Sequence, residues 1–125
     1  MGKALLIPRP AATLILAREA ADGIEVFMMQ RALGAEFAGG AHVFPGGAVD
    51  PADCDEHLAA CCIGIDAAEA SRLLNLERGG LAYWIAAVRE CFEEAGLLLA
   101  CGENGEVVAL DDPDTAGKFA GLREK

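Results

Sequence analysis

Between Leu81 and Gly96 the sequence LAYWIAAVRECFEEAG spaces its apolar residues at a helical period. On a wheel of roughly 100° per residue, Glu94 falls about 40° to one side of Glu90 and Glu93 about 60° to the other. Arg89 flanks them. Trp84, Val88, Cys91, Phe92 and Ala95 gather on the opposite side. This predicts one amphipathic helix with a packing face, a face of three acids within one turn, and Gly96 as its C′ residue.

Elsewhere the pattern is shorter. Ala11–Arg18 (AATLILAR) predicts a strand, with Thr13 to Leu16 suited to cover on both faces. Glu19–Gly23 reads as a turn and Ile24–Arg31 as a second strand, antiparallel to the first. A Gly- and Ala-rich loop follows, then a short strand at Ala41–Phe44 and a sharp turn at Pro45-Gly46-Gly47. Asp66, with Glu69 three residues on, marks a capping box for a helix ending near Glu77 and stopped by Gly79-Gly80. After Gly96, Leu97–Ala100 reads as a buried strand, Gly102–Gly105 as a turn and Glu106–Leu110 as a further strand. Asp112-Pro113 starts a last helix with the stripe Ala116, Phe119 and Leu122.

Composition narrows the function classes. The chain has 125 residues and a net charge of -10, enough for one small domain and too acidic for nonspecific nucleic-acid binding. An anionic substrate would need a local positive centre, which a bound metal supplies. Five cysteines without a CxxC pair suit a reducing compartment, so a cytoplasmic location is expected. His42 and His57 are too few for a His-rich zinc site. The apolar stretch Ala4–Ile7 is too short to span a membrane.

Three like charges within one turn repel one another, and a divalent cation that prefers hard oxygen ligands would relieve that repulsion. A solvated acidic face is the plain alternative.

At Gly47 and again at Arg89–Leu97 the chain resembles the Nudix hydrolases. Arg89-Glu90-Cys91-Phe92-Glu93-Glu94-Ala95-Gly96-Leu97 matches the second half of their box, and Phe44-Pro45-Gly46-Gly47 matches its usual start. Asp53 stands where the family has Glu. The general pattern has about seven residues before the Arg; here 35 residues, Cys54 to Val88, intervene. That insertion resembles a branch related to a peroxisomal coenzyme A diphosphatase of animals. A coenzyme A signature is kept in part, with Arg31, Ala32 and Gly40 in register but Glu36 where a second Arg belongs.

The resemblance implies an α/β/α sandwich around a mixed sheet, with residues 1–125 as one domain carrying a helical insertion at about 54–80. It implies hydrolysis of a nucleoside diphosphate linked to another moiety (NDP-X), coenzyme A or a derivative among the candidates. Mg2+ or Mn2+ would be held by Glu90, Glu93, Glu94 and the Gly46 carbonyl. Arg89 would join the catalytic set by pinning a glutamate or the glycine loop, with Asp53 in support. Arg31, Phe44 and Gly47 would meet substrate. The partner implied is a small-molecule diphosphate, not a nucleic acid or a membrane.

Only 28 residues follow Leu97, so the sheet is expected to be incomplete at that end. A fragment of a longer protein, a homodimer that completes the sheet, and a degenerate or non-catalytic nucleotide-binding homologue are the alternatives.

Overall fold

The computed structural model of the protein describes residues 5–123. Along the chain run β1 (Ala11–Thr13), β2 (Ala17–Ala20), β3 (Gly23–Val26), β4 (Met29–Gln30), β5 (His42–Val43) and β6 (Gly46–Ala48). A 3-10 turn at Pro51–Cys54 follows, then α1 (Glu56–Ala60), α2 (Ala67–Leu73), α3 (Leu81–Ala95) and α4 (Pro113–Arg123). The strands pair in twos: β1 with β6, β2 with β3, β4 with β5. The described residues divide into two units, one made of residues 5–12 with Gly47–Ala86, the other of Thr13–Gly46 with residues 87–123.

In the first unit, local polar groups set the turns. Asp50 caps the 3-10 turn: its carboxylate accepts from the Ala52 N–H at 2.8 Å, while Asp53 accepts from the Asp50 N–H at 2.7 Å. This reciprocal pair is a capping box. Asp66 caps α2 by accepting from the Glu69 N–H at 2.8 Å, but the expected box is only half made, because the Glu69 carboxylate pairs with Arg72. The helix stops earlier than expected, at Leu73 rather than near Glu77. Asn75 takes a left-handed φ of 55°, the Leu76 N–H bonds the Ser71 carbonyl and the Asn75 N–H bonds the Arg72 carbonyl. That is a Schellman stop, with Asn in the place Gly more often fills. Ser71 is buried, and its Oγ donates to the Ala67 carbonyl and accepts from the Gly80 N–H at 2.9 Å. Small residues dominate the buried apolar set of this unit: Ala70, Ala82 and Ala86 beside Leu81. Trp84, which the helical period puts on the packing face, is only half-buried.

In the second unit, β2 and β3 form the expected antiparallel hairpin, with Ala17 opposite Val26 and Ala20 opposite Gly23. Each expected strand breaks in two. The run Thr13–Leu16 is not covered on both faces: Leu14 and Leu16 are half-buried, whereas Ile15 is 59% exposed. Ile24 in β3 is 76% exposed. β4 pairs with β5, Met29 opposite Val43 and Gln30 opposite His42. Leu97–Ala100 forms no strand, and Leu97 and Leu99 are exposed, contrary to the buried strand expected. Beyond the turn at Gly102–Gly105 only a bridge, Cys101 to Val107, replaces the further strand. An apolar run favours extended backbone, but a strand also needs an edge to pair with. α4 begins at Pro113 as predicted. Asp112 accepts from the Asp114 and Thr115 N–H groups at 3.1 and 3.0 Å, and Phe119 meets Phe92 edge-on with ring centroids 5.9 Å apart.

Two outcomes follow from these contacts. A Cβ at Gly80 would lie 2.4 Å from the Ser71 Cα and N, backbone atoms that cannot swing aside. Gly80→Ala should therefore destabilise the fold by about 1–3 kcal/mol, read as a lower urea midpoint; an unchanged midpoint contradicts the close approach. The second concerns acid. Hydrogen bonds from the Thr115 side chain, then from backbone N–H groups, hold the Asp112 carboxyl below the usual carboxylate range. The cap is thus at full strength above about pH 4, the ordinary Asp value, and is lost as pH falls through the lower folded value. Backbone chemical shifts of α4 should move toward coil in acid, and far less in Asp112→Asn, whose cap does not titrate. Equal acid response in both variants would contradict this.

Candidate active site

The carboxylate turn is carried by α3, which forms over Leu81–Ala95 as the periodicity predicts. Gly96 closes it with φ 71°, its N–H bonded to the Phe92 carbonyl at 2.9 Å. Arg89 sits among the acids. Its Nη1 is 3.0 Å from a Glu90 oxygen and 3.0 Å from a Glu93 oxygen, so one cation holds two of the three carboxylates. Glu94 turns elsewhere and accepts from the Gly46 N–H at 3.3 Å. The Pro-Gly-Gly segment thus meets the helix, but not as the sharp turn expected: Gly46 and Gly47 are extended residues of β6. Pro45 itself lies in a bend just before the strand, and its carbonyl accepts from the Leu14 N–H at 2.8 Å.

A cleft of about 350 Å³ opens beside this turn, walled by Met29, Val43, Ala32 and Ala35 and edged by Gln30, Arg31 and Glu94. Its floor is well tied: the Arg31 N–H bonds the Ala41 carbonyl at 2.9 Å, and the Arg31 carbonyl accepts from the Gly40 N–H at 3.1 Å. Arg31 and Glu94, far apart in sequence, therefore share one cleft with an apolar wall.

The other expected site residues are placed differently. Phe44 is half-buried next to buried Pro45. Gly47 and Asp53 belong to the first unit. Asp53 is 1% exposed and serves the capping box described above. Two features escaped sequence reasoning. The cleft walls Met29 and Val43 are a cross-strand pair, which only the register reveals. Arg123 donates to the carbonyls of Glu93 and Glu94; its position in the last turn of a capped helix was the available signal.

Chemically, the turn offers oxygen donors only, the kind that suits a hard divalent cation. Among the described residues no group of three His, Cys, Asp or Glu side chains is placed to hold a metal ion. The donor chemistry of Glu90, Glu93 and Glu94 fits; Arg89 bridges Glu90 and Glu93, while Glu94 turns away toward Gly46.

No family model matches the chain. In structure it is similar to a Nudix hydrolase from Alicyclobacillus acidocaldarius, with a TM-score of 0.62 and 29% sequence identity. The match covers 96% of this chain and 56% of that one, so the chain spans about half the length of its structural neighbour. The fold is α/β of the Nudix hydrolase type, and the likeness first carried by Arg89–Leu97 and Phe44–Gly47 is supported at the level of that family. Among the described residues no helix is long and apolar enough to cross a membrane.

The site has a chemical marker. Burial pushes the Cys91 thiol up, and the Glu94 charge adds in the same direction. Cys91 should therefore resist iodoacetamide in the native protein at neutral pH while exposed Cys54 and Cys61 are alkylated. Peptide mapping that finds Cys91 labelled as fast as those two contradicts this packing.

Proposed function

We propose that the chain acts as a metal-dependent pyrophosphohydrolase of the Nudix type on a nucleoside diphosphate linked to another moiety. The observation that carries the reading is the shared cleft: Glu94, from the carboxylate turn, and Arg31, a cation suited to phosphate, edge the same 350 Å³ space. In this reading Glu90, Glu93 and Glu94 hold Mg2+ or Mn2+, with the Gly46 backbone alongside. The ion, when bound, neutralises phosphate charge and acidifies a bound water. Arg31 orients the diphosphate, and Met29 and Val43 exclude water from one side of it. Arg89 holds Glu90 and Glu93 in register through one nitrogen, and Asp53 fixes the 3-10 turn that follows β6. Phe44, half-buried beside Pro45, would contribute to substrate binding.

Coenzyme A or a derivative is one substrate to test. The kept Arg31 supports it, and the charge reversal at Glu36 opposes it. A second reading, binding without turnover, is favoured by the contacts that engage Glu90 and Glu93 with Arg89. Five free cysteines support a reducing, cytoplasmic setting.

Product release from coenzyme A, ADP-ribose, NADH and nucleoside triphosphates, with Mg2+ or Mn2+ present, tests the reading. Turnover of at least one is expected, with Glu93→Gln and Glu94→Gln each lowering kcat by roughly a hundredfold or more and leaving circular dichroism unchanged. Metal-dependent binding without product would establish the second reading. Undiminished turnover in both variants would remove the glutamates from the mechanism.

A further inference from the structure

The last turn of α3 is electrostatically awkward. It carries Glu93 and Glu94 and has no basic residue of its own. Its terminal carbonyls already bear the partial negative charge of a helix C-terminus, so the two acids sit where a cation is wanted.

That cation comes from another helix. Arg123, in the last turn of α4, points its guanidinium at the end of α3. Its Nε and Nη2 lie 3.4 and 3.3 Å from the Glu93 carbonyl, and Nη2 lies 3.5 Å from the Glu94 carbonyl. The Phe92–Phe119 ring pair fixes α4 against α3, so the arginine is delivered by a packed element. Gly96 leaves room for it: a Cβ there would stand 2.7 Å from Arg123 Nη1. Glycine at 96 therefore both ends the helix and admits the guanidinium.

We propose that Arg123 is a positioning residue for the carboxylate turn. It caps the two backbone carbonyls of the residues whose side chains would hold the metal, and so keeps the last turn of α3 helical when Glu93 and Glu94 are charged. The inference rests on the metal-binding reading given above. Loss of the cap would let that turn fray, spreading the carboxylates and weakening the hold on a divalent ion.

The test is Mn2+ affinity, measured by the electron paramagnetic resonance signal of free Mn2+, in the wild type, Arg123→Met and Arg123→Lys. Methionine keeps an apolar stem and removes every donor; lysine keeps the charge and can reach a carbonyl. The expected Kd for Mn2+ rises about tenfold in R123M, with R123K between it and the wild type. At saturating Mn2+, kcat should return toward the wild-type value, because the arginine touches no reacting atom. If R123M does not unfold cooperatively, R123Q replaces it with the same expected direction. A merely structural arginine would lower the melting temperature and leave the Mn2+ Kd unchanged, and that result overturns the proposal. A wild type that binds no Mn2+ removes the metal-binding reading itself, so the two failures are distinct.

Discussion

Crowding of like charge on one helical turn is the constraint from which the rest follows. Glu90, Glu93 and Glu94 share a face of α3, and their mutual repulsion must be offset for that turn to stay folded. Arg89 does part of this by meeting Glu90 and Glu93 with one nitrogen, at 3.0 Å each. Backbone dipoles do another part: the Gly46 N–H meets Glu94. Arg123 offsets the carbonyl end of the same turn. Their convergence on one turn is the observation on which the proposed metal-binding role builds.

The apolar side of α3 makes that holding possible. Cys91 is fully buried, and Phe92 is gripped by Phe119. The residues buried over the first half are small, Ala82 and Ala86 beside Leu81, which permits close approach of backbone. Upstream, Gly80 stands so close to Ser71 that a methyl group would strike backbone. Rigid ends on a helix matter here, because metal geometry tolerates little play in its first ligands. Beside the turn, the β4–β5 pair supplies the cleft, with Arg31 held through its backbone on both sides.

Features specified by neighbouring residues were legible in the sequence. α3 could be placed at both ends because its period, its acids and Gly96 all act locally. The caps Asp66 and Asp112 were legible for the same reason. Three features depended on distant groups and were not. Pro45-Gly46-Gly47 has turn composition, yet only Pro45 lies in a bend, and Gly46 and Gly47 run on as β6. Leu97–Ala100 has the composition of a buried strand, but only its last residue is bonded across, the Ala100 carbonyl accepting from the Val108 N–H, and no strand forms. The early end of α2 lay within reach, since Asn at position 75 can take a left-handed conformation; the double glycine downstream was the louder signal. Arg31 and Glu94 were singled out separately, and only the fold brings them to one cleft.

The central claim is that a divalent ion binds at the last turn of α3, beside Gly46 and open to the Arg31 cleft. Paramagnetic broadening by substoichiometric Mn2+ in a two-dimensional amide spectrum tests it most directly. The account predicts that resonances of Gly46, Glu93, Glu94 and Arg31 are lost first, with the acidic segment Asp111–Asp114 little affected. Broadening centred on Asp111–Asp114, or spread evenly over the acidic surface with Gly46 still sharp, would contradict it.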